Sequence, residues 1–130
     1  MAPHSDAPVV LCLRNQTRGT VLCPRATLAR GFRGRSSGLL GRGQLSPDEG
    51  MLFEAERFLP LMWMHTFFMS FPIDIVFLGR ADVVMKIQTS LRPWRLSALV
   101  IGASRAVELS AGAAIRATTA VGDFISLEEV

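Results

Sequence analysis

The sequence predicts a mainly β protein of the α+β class: a small single-domain β-sandwich or partly closed barrel with one or two short helices. Its 130 residues are a common size for one domain and too few for two. Hydrophobic residues make up 49% and charged residues 19%, which provides a core and excludes a disordered chain. Short apolar runs alternate with turn residues, as in small sheet proteins. We expect a mobile N-terminus over residues 1–8 and one β-rich domain over residues 9–130.

The first predicted element is a β-hairpin. Two short apolar runs flank a polar turn at residues 15–19. If Asn15 pairs with Thr20, counting back along both strands places Cys12 opposite Cys23, where a disulfide is possible. The N-terminus lacks the basic and apolar segments of a secretory signal, so we expect a cytoplasmic protein in which free thiols are favoured. The redox state of the two cysteines stays open.

The longest apolar stretch covers residues 58–78 and carries a single charge, at Asp74. It is long enough to cross a bilayer as a helix. Two prolines and two polar residues interrupt it, at Pro60, His65, Pro72 and Asp74. We therefore predict two buried strands, at about 62–69 and 73–78, and no membrane span.

The remaining predicted elements are short. Strands are expected at residues 51–54, 83–87, 98–101, 106–109 and 124–127, and short helices within residues 27–35 and 111–119. Residues 91–95 include Pro93 and should form a loop, because proline disrupts a central strand.

Several short motifs follow one another along the chain. They lie at residues 38–42, 48–53, 63–66, 71–78, 91–95, 107–112 and 122–123. Their order and spacing resemble the family known as domain of unknown function 192, over about residues 27–127. Residues 65–69, His-Thr-Phe-Phe-Met, look like a recurring variant within that family. The resemblance implies a small, mainly β fold and supplies no activity.

Asp74 is the first candidate for chemistry. Strand alternation places it on the same face as Val76 and Leu78, and a buried carboxylate must be paired or hydrogen-bonded. Its partners are expected to be backbone N–H groups or one of the arginines at positions 30, 33 and 42. The alternative is that it orients His65, which shares a strand face with Trp63 and Phe67, as a general base.

That alternative describes a hydrolase-like enzyme, and we favour a protein that is not an enzyme. A nucleophilic triad also needs a positioned serine or cysteine, and the sequence contains no nucleophile-elbow motif. Glu108 is a further candidate, expected to face solvent or a cleft. With His65 and Asp74 it supplies just one nitrogen ligand, so neither a metal nor another cofactor is predicted.

The loop Arg92-Pro93-Trp94-Arg95 is the leading candidate for a binding site. A flat ring between two guanidinium groups can stack on a sugar or base, or hold a carboxylate. With Arg42, these residues predict a non-enzymatic module that binds a small acidic or sugar-like ligand or a protein partner. The alternative is that Trp94 caps the sheet edge while both arginines lie in water.

Basic residues are concentrated near the N-terminus. Residues 1–47 contain seven arginines and one acid, whereas residues 48–130 contain seven basic residues and ten acids. Such an asymmetry can mark a phosphate-binding surface or a solvated face. One aromatic residue, Phe32, lies within the basic segment 14–42. Weak phosphate or nucleic-acid binding therefore stays an alternative, and specific nucleic-acid recognition is not predicted.

Overall fold

The computed structural model describes residues 8–29, 45–56, 58–67 and 69–130. Three features named from the sequence fall outside these ranges. They are residues 1–7 of the N-terminal segment, most of the helix expected within 27–35, and the arginines at positions 30, 33 and 42.

Within the described residues, the chain forms nine strands and one short α-helix, with a 3-10 turn at Arg80–Asp82. The strands are β1 (Val10–Asn15), β2 (Thr20–Leu28), β3 (Glu49–Glu54), β4 (Leu61–Met62), β5 (Ile73–Leu78), β6 (Val84–Leu91), β7 (Val100–Ile101), β8 (Arg105–Ser110) and β9 (Ile125–Glu129). The helix α1 is Ala113–Arg116. Seven strands form one sheet in the order β6-β5-β8-β3-β2-β1-β9, and β4 pairs with β7 separately.

The two edge strands of the large sheet approach each other at one end. Val83 forms a bridge with Phe124. The Val84 N–H donates to the Asp123 carbonyl at 2.8 Å, and the Gly122 N–H donates to the Val84 carbonyl at 2.8 Å. These contacts curl the sheet into a half-barrel. The predicted fold class, mainly β with a partly closed sheet, is confirmed.

Strand β5 separates two core layers. All six of its residues are buried, and strand alternation sends them to opposite faces. Ile73, Ile75 and Phe77 belong to the first core layer. Val76 and Leu78 belong to the second. The strand predicted at 73–78 is confirmed, because a strand covered on both faces reads as an unbroken apolar run.

A different element packs against each core layer. The first is closed by a two-stranded ribbon, residues 61–67 against 94–101, whose inward residues include Met62, Met64 and Val100. The second is closed by α1 through Ala113 and Ala114. The ribbon and the helix therefore complete the two faces of the sheet.

The strand expected at 62–69 is shorter than predicted. Regular pairing is limited to Leu61–Met62, and beyond it the ribbon continues with one bridge, His65 to Leu96. Side-chain oxygens replace part of the ladder: the Met64 N–H donates to Ser97 Oγ at 2.7 Å. Sequence periodicity does not reveal such side-chain substitutes for backbone pairing.

The N-terminal hairpin forms with a corrected register. Asn15 pairs with Thr20 as predicted, but Cys23 lies opposite Leu13 because the ladder contains an irregularity between Leu13 and Arg14. Cys12 instead pairs with Glu128 of β9. Both cysteines are free thiols. The prediction that Cys12 lies opposite Cys23 is therefore wrong, since each bulge shifts the count by one residue.

Other boundaries differ modestly from expectation. Strand β2 continues through Thr27, which pairs with Met51 in a parallel ladder, so the predicted helix does not start there. Tertiary pairing with β3 overrides the local preference. The predicted helix within 111–119 is a single turn, Ala113–Arg116. No helix in the described ranges is long and apolar enough to cross a bilayer.

A buried polar cluster supports the closure of the half-barrel. Asn15 and Asp123 are almost fully buried. The Asp123 carboxylate accepts hydrogen bonds from Asn15 Nδ2 at 2.9 Å, Arg18 Nε at 3.0 Å and the Ala120 N–H at 2.9 Å. The hydrogen bonds from Arg18 and Asn15 lower the pKa of Asp123 to about 2. The cluster thereby links the β1–β2 turn to the segment that enters β9.

Acid should weaken this closure. Because the folded pKa of Asp123, about 2, lies below the unfolded value of about 3.9, its stabilisation is present above pH 4 and is lost as pH falls toward 2. We expect Asp123→Asn to have a lower Tm at pH 7 and a flatter Tm profile between pH 4 and 2. Calorimetry across that range measures both. The exposed-site variant Glu129→Gln should follow the parent, and an Asp123→Asn profile parallel to the parent would contradict the assignment.

Candidate functional site

The outward face of the ribbon carries a row of aromatic rings. Alternation along residues 61–67 turns Trp63, His65 and Phe67 to the side away from Met62 and Met64. The facing segment adds Trp94. Successive ring centroids are 6.4 Å apart for Trp63–His65, 4.9 Å for His65–Phe67 and 6.1 Å for Phe67–Trp94. These four residues are called the aromatic row.

The aromatic row is partly open to solvent. Trp63 and Trp94 are 50% and 54% exposed, and Leu96 beside them is 56% exposed. His65 is exposed and Phe67 is half-buried. Single exposed apolar residues are ordinary, but a contiguous set is typical of an interaction surface. The row is therefore a candidate surface for ligand contact.

Trp94 occupies an unusual backbone conformation. Its φ is 63°, in the left-handed region that a bulky residue adopts only at a cost of roughly 1–2 kcal/mol. The conformation is fixed from within the protein: the Trp94 N–H donates to the Thr66 carbonyl at 2.9 Å. Backbone strain of this kind persists where surrounding contacts impose it, and it is concentrated at functional sites.

Thr66 is the residue that imposes this loop. It is fully buried, and its hydroxyl donates to the Arg92 carbonyl and accepts the Arg95 N–H at 2.9 Å. Its own N–H donates to the Arg95 carbonyl at 2.9 Å. One side chain between Phe67 and His65 thus anchors the whole turn that carries Trp94. Its sequence context alone does not single out Thr66 for this role.

The loop that carries Trp94 also carries two arginines. Arg92 and Arg95 are exposed, and in the sequence they lie two residues before Trp94 and directly after it. Arg95 Nη1 donates to the Trp94 carbonyl at 3.4 Å, so its head group lies near the ring-bearing turn. Arg42, the fourth residue predicted for ligand binding, lies outside the described residues. The loop that the sequence predicted as a binding site therefore carries Trp94. Trp94 continues a row of rings that the sequence analysis had not connected with this loop.

Asp74 and His65 do not form the pair considered for an enzyme. The Asp74 carboxylate is fully buried and accepts the N–H groups of Ser90 at 2.9 Å, Gly112 at 3.1 Å and Ala114 at 3.1 Å. His65 is exposed, and its Nδ1 accepts the Phe67 N–H at 3.3 Å. Asp74 is thus an acceptor for backbone amides. The Asp–His interpretation is wrong. Strand alternation predicts the sheet face on which a side chain lies, but it does not predict which groups of other segments contact that side chain.

Glu108 lies inside the first core layer. It is 4% exposed, between Met51 of β3 and Ile75 of β5 on the neighbouring strands. The expectation that it faces solvent or a cleft is therefore corrected, because strands on both sides cover it. Within the described residues its carboxyl group forms no hydrogen bond or ion pair. Burial raises the pKa of Glu108 to about 8, so the group is mostly protonated at neutral pH.

A family model places the chain among known sequences. The model of the family DUF192, domain of unknown function 192, described as "Uncharacterized ACR", matches residues 13–127. The chain belongs to the DUF192 family. Among curated proteins, none matches this DUF192 chain.

Two crystal structures share the fold of this DUF192 domain. One is a candidate transcription regulator from Sinorhizobium meliloti 1021, with a TM-score of 0.78 and 24% identity over 97% of this chain and 98% of that one. Another is a protein of unknown function from Novosphingobium aromaticivorans DSM 12444, with a TM-score of 0.75 and 24% identity over 96% of this chain and 91% of that one. At this identity both likenesses concern the fold alone.

The remaining predicted sites receive less support from the geometry of this DUF192 domain. In the part of the chain that the structure describes, no group of three or more potential metal ligands comes together. Of the arginines in the basic segment 14–42 that are described, two are paired with acids. Arg14 contacts Glu128 at 3.4 Å, and Arg18 contacts Asp123 at 3.0 Å. These pairs partly neutralise the positive surface expected from the sequence.

Glu108 should make the stability of the parent protein fall as pH rises. The folded pKa, about 8, lies above the unfolded value of about 4.3, so its stabilisation is complete below pH 4.3 and is lost as pH rises toward 8. Glu108→Gln should remove that loss, gaining on the parent by about 1.4 kcal/mol per pH unit between pH 5 and 8. Urea unfolding at several pH values measures this. Glu56→Gln, at an exposed glutamate, is the control, and parallel profiles for Glu108→Gln and the parent would refute the assignment.

The strain at Trp94 can be separated from the loss of its ring. Glycine adopts a φ near +60° freely and alanine does not, so Trp94→Gly should be about 1 kcal/mol more stable than Trp94→Ala. Urea unfolding of the two variants measures the difference. Trp63 is a matched control because its φ is not positive. At position 63 the order should reverse, with Trp63→Ala more stable than Trp63→Gly. Equal stabilities for both Trp94 variants would contradict the strained backbone.

Proposed function

We propose that this DUF192 domain is a non-enzymatic binding module that takes a small acidic, sugar-like ligand on the aromatic row, between Arg92 and Arg95. The observation that carries this proposal is Trp94. It is held half-exposed and in a strained backbone conformation by the buried Thr66. A core-packing role would favour neither the exposure nor the strain.

The rings supply the first part of the recognition. Trp63 and Trp94 present rigid faces that lose little conformational freedom when a ligand covers them. These two half-exposed residues form the ends of the row, and His65 and Phe67 are stacked between them with centroids 4.9 Å apart. A sugar ring such as a pyranose, which has an apolar C–H face, fits such a surface better than a compact ion does.

The guanidinium groups supply the second part. Arginine binds a carboxylate through two parallel N–H donors, which gives direction as well as charge. Because Arg92 and Arg95 are exposed residues of the loop that carries Trp94, we expect a ligand that stacks on the ring to place its acidic group against one of them. A sugar acid combines both features, so it is the ligand class that we favour.

The enzyme alternative lacks its central contact. A hydrolase of the kind considered from the sequence needs Asp74 to orient His65. The Asp74 carboxylate instead accepts three backbone N–H groups, and each oxygen is engaged. His65 lies in the aromatic row, where an exposed imidazole can contact a ligand directly. The geometry therefore favours binding over catalysis.

Tryptophan signals offer a direct test. The chain has two tryptophans, and both belong to the aromatic row, so indole NMR resonances and fluorescence report on this surface alone. Titration with galacturonate and glucuronate oligosaccharides, and with their neutral counterparts, should shift both indole resonances. The acidic sugars should bind more tightly, by about tenfold for one charge-assisted interaction.

Variants assign the binding to the proposed residues. Trp94→Ala should weaken binding at least tenfold, and Arg95→Gln should reduce the preference for acidic over neutral sugars. Phe124→Ala is the control, because Phe124 is a comparably exposed aromatic (42%) outside the ribbon. If no acidic sugar shifts the indoles, or if Trp94→Ala binds like the parent, the proposal is wrong.

A further inference from the structure

A second concave surface lies where β3 and β5 begin and β8 ends. It is a cleft of about 390 Å³, within the range of small-molecule sites. Its walls include Leu45, Phe71 and Pro72, and its polar rim includes Ser110 and Arg116. None of these residues belongs to the aromatic row.

The walls of the cleft are continuous with the core. Leu45 and Phe71 are buried members of the first core layer, and Pro72 follows Phe71 directly into β5. A ligand that enters the cleft therefore meets fixed apolar side chains. Such walls stabilise an apolar group by the surface that they remove from water.

The rim holds a positioned cation. Arg116 Nη2 donates to Ser110 Oγ at 3.2 Å. The guanidinium also lies against Gly112, where an added Cβ would stand 2.9 Å from Arg116 Nη1. Gly112 has a φ of 93°, so glycine serves both the turn and this close approach. The arginine head group is thus held at the cleft before any ligand arrives.

The Arg116 guanidinium has no acidic partner in direct contact among the described residues. Within the described residues Arg116 forms no ion pair, and the residues that line the cleft include no acid. Glu108 lies two residues before Ser110 on the same strand face. Because burial raises the pKa of Glu108 to about 8, it carries little charge at pH 6.5. An anionic head group is the natural complement of this rim.

We propose that this cleft binds a small monocarboxylate with an apolar tail. The carboxylate accepts hydrogen bonds from the Arg116 guanidinium and the Ser110 hydroxyl, and the tail packs against Leu45 and Phe71. The site is separate from the aromatic row and does not depend on the function proposed for it.

The length of the tail is the first variable of the test. Acetate, butyrate and hexanoate are titrated at pH 6.5 while amide resonances of the isotope-labelled full chain are recorded. Affinity should rise about threefold to fourfold per methylene as the tail enters the walls. Hexanamide, which matches hexanoate without its charge, should bind at least tenfold more weakly. The resonances of Ser110 to Arg116 should shift, and the indole resonances of the aromatic row should not.

Variants distinguish specific binding by Arg116 from non-specific attraction of the carboxylate to the positively charged protein. Arg116→Gln should lower hexanoate affinity at least tenfold and leave hexanamide binding unchanged. Arg80→Gln, which removes an equally exposed arginine elsewhere, should leave both unchanged. The proposal is overturned if no carboxylate shifts the Ser110 to Arg116 resonances, or if affinity does not change with tail length. It is also overturned if hexanamide binds as well as hexanoate, or if Arg116→Gln behaves like Arg80→Gln. Trp94→Ala should bind hexanoate normally, which distinguishes failure here from failure at the aromatic row.

Discussion

The buried carboxylate of Asp74 determines the position of both candidate sites. Its oxygens accept three backbone N–H groups, one from Ser90 and two from the segment that begins α1. Ser90 is the next-to-last residue of β6, just before the turn of Arg92 and Trp94, and α1 carries Arg116. A buried carboxylate without such partners would cost several kcal/mol, so its oxygens tie these segments to β5 in fixed geometry. The hydrogen bonds of one buried carboxylate thereby help to fix the segments that carry the aromatic row and the cleft at Arg116.

Two local costs coincide in the ribbon. Trp94 has a left-handed backbone conformation, and the aromatic row leaves apolar rings in water. A tight turn can explain the left-handed backbone alone, and a shortage of polar residues can explain the exposed rings alone. Neither explains why both occur at Trp94, whose loop is anchored by the fully buried Thr66. The ligand contact proposed for the aromatic row would account for both, because a ligand that covers the rings would offset their exposure.

The sequence predicts local patterns well and contacts across the fold poorly. Strand β5 could be predicted to the residue because both of its faces are buried, and the Asn15–Thr20 pair followed from the turn between them. The position of Cys12 could not be predicted, since bulges shift a register without a local signal. Trp94 and its loop could be singled out from composition. That Trp94 continues the row of His65 depends on pairing between distant segments, which no periodicity encodes.

The irregularity of the ribbon also explains how an apolar face can remain exposed. A long, flat, apolar strand edge pairs readily with another chain. Here Thr66 and Ser97 side chains take ladder positions, and the Ala98 N–H donates to Gln88 Oε1 at 3.0 Å, toward β6. These bonds satisfy backbone groups that a flat strand would offer to a neighbour. The ribbon therefore presents its side chains outward, and the binding proposed for it uses ring stacking and charge pairing, not strand addition.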